Sequence, residues 1–91
     1  MSYNHEIIGR MFPTPLTYPH ILTVEFSYIG TSYLNAYVLT VGGAIVRQQL
    51  NITNEKGLYR IQFDLSHLVS GDYILQLSND GDMINQTFSI S

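Results

Sequence analysis

Three histidines, His5, His20 and His67, and a cluster of aspartates, Asp72, Asp80 and Asp82, are the side chains of this chain best suited to hold a metal or move a proton. A metal centre draws three or four such donors to one point, and short chains signal it by close, regular ligand spacing. The histidines share no such spacing with one another or with a carboxylate. Asn79-Asp-Gly-Asp82 offers oxygen ligands, but not in the stepped positions, or with the closing glutamate, of a calcium loop. It reads as a turn. Serine and threonine are plentiful, yet a nucleophile needs a base held against it, and no Gly-x-Ser-x-Gly occurs. With no cysteine there is no thiol nucleophile, thiolate site or disulfide. The residues predict no catalytic group, no metal site and no cofactor.

Two further patterns concern binding. Tyr28, Tyr33, Tyr37 and Tyr59 would make an aromatic platform for sugar rings if several faced solvent together; otherwise they serve core and cross-strand packing. Asn51-Ile-Thr53 and Asn85-Gln-Thr87 match the glycosylation sequon, and read as strand residues on a solvent face. Charged residues make up only 12 %, about half the usual share, so the surface is rich in hydroxyls and amides. Lys+Arg number 4 against 7 for Asp+Glu, which leaves no basic patch for phosphates and argues against nucleic acid as a partner.

What must position these side chains is a set of strands. The chain turns around Phe63 to Ser78, where Tyr59, Ile61 and Phe63 share one face before the turn, and Tyr73, Leu75 and Leu77 share one after it. Between these runs, Leu65 and Leu68 are spaced to plug the end of a core, and Gly71 can take a positive φ at no steric cost. Ile21 to Tyr28 alternates cleanly, with Leu22, Val24, Phe26 and Tyr28 on one face. Leu34 to Val41 and Ala44 to Ile52 follow, divided by Gly42-Gly43. Met83 to Ile90 closes the chain, with Ile84, Phe88 and Ile90 on one face. His5 to Phe12 reads as a weak edge strand or an ordered arm. The prolines in Phe12 to Pro19 exclude helix and central strand there.

About six or seven strands at this spacing predict an all-β fold, an immunoglobulin-like antiparallel β-sandwich. Residues 1–19 are expected to form an N-terminal arm and Pro-rich lead-in, and residues 20–91 the sandwich. No stretch reaches the roughly 18 apolar residues of a membrane span. Met1 to Glu6 lacks the basic start and apolar centre of a secretory signal. With so few charges, the sheet edges have little protection, and weak edge-strand self-association is expected.

Beyond these patterns, the chain resembles the C-terminal sorting domains of cargo exported by the type IX secretion system of Bacteroidetes. Those domains open on an aromatic-led Pro-Asn-Pro before an alternating strand; here Phe12-Pro13-Thr14-Pro15 and Leu22 to Phe26 stand in those places. A middle motif, apolar-x-Asp-x-x-Gly and an apolar pair, is similar to Val38 to Gly43 with Ile45-Val46. The most recognisable element, Asp-Leu-Ser-x-Leu-x-x-Gly-x-Tyr, is Asp64 to Tyr73, with Asp64, Leu65, Leu68, Gly71 and Tyr73 at its key positions. Thr14 replaces the usual asparagine, Thr40 the usual aspartate, and Gln86 to Ser91 carries no lysine or arginine.

The resemblance implies a non-catalytic tag that directs an N-terminal cargo across the outer membrane. Its partners would be the secretion translocon and a sortase-like peptidase that cuts near or before His5 to Met11. Docking would involve the last strand, Phe88, Ser89, Ile90 and Ser91 above all. The implied destination is the cell surface or the extracellular space, by way of the periplasm. A reading of another class is an immunoglobulin-like carbohydrate- or protein-binding module, which would need exposed, coplanar tyrosines.

Overall fold

A computed structural model describes residues 7–12 and 16–91, with residues 8 and 10–12 as main chain only. Seven strands follow in order: β1 (Ile7–Phe12), β2 (Ile21–Tyr28), β3 (Asn35–Thr40), β4 (Ile45–Gln49), β5 (Gly57–Asp64), β6 (Gly71–Ser78) and β7 (Met83–Ile90). They form a three-stranded sheet, β1-β2-β5, and a four-stranded sheet, β4-β3-β6-β7, with every strand pair antiparallel. This is an all-β sandwich with immunoglobulin-like connectivity, as the spacing of turn signals predicts.

Period-two alternation builds the core. In β2, Leu22, Val24, Phe26 and Tyr28 are buried and their neighbours half-buried, because successive side chains of a strand point to opposite faces. Val24 stands opposite Ile61 of β5, and Leu22 opposite Phe63. From the other sheet, Ala36 and Val38 of β3 and Tyr73, Leu75 and Leu77 of β6 close on the same interior, with Phe88 and Ile90 of β7.

The segment read as a weak edge strand or an ordered arm forms, over Ile7–Phe12, the edge strand β1. β1 pairs with β2 from Ile7 opposite Tyr28 to Phe12 opposite Thr23, and Ile7 is buried. Gly9 permits this approach: a Cβ there would lie 2.9 Å from the Phe26 Cβ. Leu16, beyond the prolines, is also buried.

One strand is shorter than its pattern. The alternation of Val46, Leu50 and Ile52 suggests a strand from Ala44 to Ile52, but β4 ends at Gln49. Asn51 takes a φ of 54°, left-handed backbone that breaks the ladder, while its N–H is held at 2.8 Å by the Asn35 Oδ1. Asn51 is therefore a turn residue, whereas Asn85, in the second sequon, is an exposed residue of β7. A register shift between Val38 and Leu39 also marks the pairing of β3 with β4.

Candidate functional site

The strand directions bring one set of loops to a single pole of the sandwich. β2 starts there at Ile21, opposite the end of β5 at Asp64, and β6 starts there at Gly71, opposite the end of β7 at Ile90. β3 ends there at Thr40, opposite Tyr73. The β3–β4 turn, the β5–β6 connection, the segment leading into β2 and the end of β7 therefore meet at one place. Gly43, Asp64, Leu65, Leu68, Gly71, Tyr73, Phe88, Ser89, Ile90 and Ser91 all belong to it. Pro13, Thr14 and Pro15 lie outside the described residues, between the end of β1 and Leu16.

Asp64 to Tyr73 is a folding device. The Asp64 carboxylate accepts the Ser66 N–H at 3.0 Å, a turn that Asp makes because its short side chain reaches the main chain two residues on. Hydrogen bonds from the Ser66 side chain first, then from its main chain, hold the Asp64 carboxyl below its ordinary value. Leu65 is fully buried and Leu68 half-buried against the core, and the Leu68 N–H closes the turn on the Leu65 carbonyl at 3.1 Å. Gly71 then takes a φ of 146°, open to glycine and strained for other residues. The Tyr73 ring enters the core and stacks on Phe88 at 6.1 Å, while its hydroxyl donates to the Val69 carbonyl at 2.7 Å. A tyrosine near the start of this strand, bonded back to the preceding loop, is the tyrosine corner of immunoglobulin-like sandwiches.

A second device joins the lead-in to β2 with the end of β7. The Leu16 N–H donates to the Ser89 carbonyl at 2.8 Å, and the Leu16 carbonyl accepts the Ser91 N–H at 2.9 Å. Leu16 thereby lies parallel to the end of β7, opposite Ile90. Nearby, the His20 carbonyl accepts the Leu65 N–H at 2.9 Å, and its ring Nε2 stands 3.0 Å from the Ser91 oxygen. His20 thus touches both the β5–β6 connection and the end of β7. Phe88 and Ile90 are buried, so the outward groups of that end are Ser89, whose hydroxyl donates to Asp72 at 2.7 Å, and Ser91.

The β3–β4 turn completes the pole. Gly43 takes a φ of 99°, and the Thr40 hydroxyl accepts the Ala44 N–H at 3.1 Å. Exposed apolar side chains tip three of the loops: Tyr18 at 88 %, Val69 at 77 % and Val41 at 65 %.

The described tyrosines do not assemble a platform. Tyr28 and Tyr73 are buried, Tyr59 stacks on Phe26 at 5.6 Å, and Tyr37 lies half-buried on the outer face of the four-stranded sheet. Tyr33 lies in the β2–β3 connection, at the pole opposite Tyr18. Among the described residues, no three histidine, aspartate or glutamate side chains gather as metal ligands, and no helix is long and apolar enough to cross a membrane.

A family model for the secretion system C-terminal sorting domain matches residues 10–91, from β1 through the end of β7. The chain belongs to this family. A search of curated proteins found no match. The sorting domain is the C-terminal signal recognised by the type IX secretion machinery, and it marks a protein exported to the cell surface or the extracellular space. Thr40, read above as standing in the place of a motif aspartate, supplies through its hydroxyl the acceptor for the Ala44 N–H of this turn. Sequence patterns do not single out Leu16 or Val69, and they mark His20 only by its residue type, not as a contact between the β5–β6 connection and the end of β7. The signal for Leu16 is an apolar residue placed directly after Pro-x-Pro, and Val69 accepts the Tyr73 hydroxyl through its main chain while its side chain stays exposed, so no alternation marks it.

Proposed function

We propose that the pole built from Leu16, His20, the β5–β6 connection and the end of β7 is the face by which the type IX translocon takes hold of the domain. The domain then directs whatever cargo precedes it across the outer membrane and performs no chemistry itself. The supporting observation is the bonding of Leu16 to both Ser89 and Ser91, which makes the lead-in from the cargo and the last strand parts of one surface.

In this reading, Phe88 and Ile90 anchor the last strand from inside, and contact with the translocon falls to Ser89, Ser91 and the exposed Tyr18, Val41 and Val69. Exposed apolar tips on three loops of one pole suit a protein partner. The sortase-like peptidase needs a stretch of extended, unpaired chain. Ile7–Phe12 is paired along its length with β2, so the cut falls before Ile7, near or before the start of the His5 to Met11 region.

The test is a reporter placed between a signal peptide and this chain, expressed in a type IX-competent bacterium and in a strain lacking the translocon. The unaltered fusion is expected at the surface or in the medium only in the competent strain. Tyr18→Asp with Val69→Asp is expected to hold the reporter in the periplasm while the purified variant melts like the parent. Periplasmic retention of the unaltered fusion would overturn the sorting role. Normal export of the folded double variant would overturn the docking pole.

A further inference from the structure

Among the described residues the two sheets end in four edge strands, β1, β5, β4 and β7, and three of them carry protection against further pairing. β5 bears Arg60 and Asp64, and the Gln62 carbonyl accepts a 2.7 Å bond from the Gln49 side chain of β4. β4 is five residues long, carries Arg47, and is irregular where it meets β3. β1 has Arg10 in its sequence. Charges, short strands and irregularities of this kind are how sheets avoid adding strands at their edges.

β7 has none of these. Its eight residues, Met83 to Ile90, include no charge, proline or glycine, and they pair with β6 in unbroken register. Among the described residues only Leu16 covers its outer edge, and only from Ser89 to Ser91. Since Ser89 and Ser91 direct main-chain groups to that edge, so do Thr87, Asn85 and Met83, two residues apart along the same strand. The Met83 N–H is taken by Asp82 Oδ1 at 2.9 Å, which leaves the Asn85 and Thr87 N–H groups as the outward donors.

We infer that this half of β7 pairs antiparallel with β7 of a second copy of the chain, about a two-fold axis at Asn85. Around that axis Asn85 faces its own mate and Met83 faces Thr87 of the second copy. Each Asn85 N–H meets the other Asn85 carbonyl, and each Thr87 N–H meets the Met83 carbonyl across the axis. The window from Met83 to Thr87 is self-complementary and uncharged, so the isologous contact incurs no like-charge repulsion. It also stops short of Ser89, where Leu16 already sits.

The outer faces of the two sheets would join as well. Asn85 accepts a 3.0 Å bond from the Gln76 side chain, and Gln76 lies opposite Tyr37, itself opposite Gln48. Pairing at Asn85 makes this row of neutral polar side chains continuous across the axis. The contact is small, so a dissociation constant of roughly 0.1–1 mM is expected.

The test is sedimentation equilibrium of the purified chain from about 10 µM to about 1 mM, the range that brackets such an affinity. The average mass should climb from that of a monomer toward that of a dimer. Asn85→Lys and Asn85→Asp, substitutions of an exposed side chain, should each remain monomeric throughout, and an equimolar mixture of the two should regain the dimer. Thermal melts check that both variants fold. A parent that stays monomeric at about 1 mM overturns the inference. Dimerisation of either single variant to the parental extent places the contact on another edge, and a mixture that stays monomeric overturns the two-fold at Asn85.

Discussion

Leu16 lies opposite Ile90 in a parallel bridge, so a residue from the start of the matched family region and one from its end share a main-chain contact. Both side chains are buried, and the bridge joins the lead-in to β2 with the last turn of pairing in β7. The end of β7 is consequently a structural member of the sandwich as well as a candidate docking surface.

Removing Ser89, Ile90 and Ser91 should therefore destabilise the domain. Loss of a buried isoleucine costs about 2–5 kcal/mol, and the two bonds to Leu16 add about 0.5–1.5 kcal/mol each. Calorimetry of the truncated chain should show a melting temperature lower by more than about 10 °C, at about 4–8 °C per kcal/mol for a domain of this size. An unchanged melting temperature would mean that the bridge contributes nothing to the fold. Loss of export on truncation is thus weaker support for docking than loss on surface substitution.

The tyrosine corner makes a narrower prediction. Tyr73→Phe keeps the ring against Phe88 and deletes only the bond to the Val69 carbonyl. The expected loss is about 1 kcal/mol, read as a fall of about 4–8 °C in melting temperature. Tyr73→Leu, which also gives up the stacked ring, should fall further. Equal melting of parent and Tyr73→Phe would show the hydroxyl to be idle.

Two glycines separate conformation from space. Neither Gly71 nor Gly81 has a neighbour within 4 Å of an added Cβ, but only Gly71, at a φ of 146°, occupies backbone that L-residues avoid. Gly71→Ala should cost about 1–3 kcal/mol, and Gly81→Ala should stay within about 0.5 kcal/mol of the parent. Comparable losses in urea titrations of the two variants would refute the conformational explanation.

Alternation made much of this fold legible. Ile21 to Tyr28 and Met83 to Ile90 have the bounds in the structure that their patterns suggest, because a strand with one buried face writes period two into its side chains. The same rule overran at Leu50 and Ile52: hydrophobicity continues there, but the positive φ of Asn51 ends the ladder, and nothing in the side-chain pattern records a dihedral angle. Gly9 was silent for a related reason, since its value lies in the distance to Phe26. Motif order pointed to Asp64 to Tyr73 and the last strand, but not to their meeting. Their convergence with Leu16 depends on which strand ends share a pole, a long-range property that local spacing does not encode.

Asp64 gives a pH-dependent prediction with a definite sign. The hydrogen bonds from Ser66 favour the carboxylate, so the folded chain releases this proton at a lower pH than the ordinary 3.8 of the unfolded one. Between those two values the unfolded state binds more protons, and stability therefore rises with pH across that window. The stabilisation from ionised Asp64 is fully present above 3.8 and is lost as pH falls through the lower folded value. In Asp64→Asn, the amide oxygen can still accept the Ser66 N–H, but nothing at this position titrates. The melting temperatures of parent and variant should differ most near neutral pH and converge below the folded value. Because the carboxylate is fully exposed, the difference should be small. A constant difference across the acid range would mean that the Ser66 bonds do not distinguish the charged from the neutral form. In that case the turn would be held by geometry alone, and threonine at position 40, which supplies a neutral acceptor to the neighbouring turn, would be the better guide to how this pole is built.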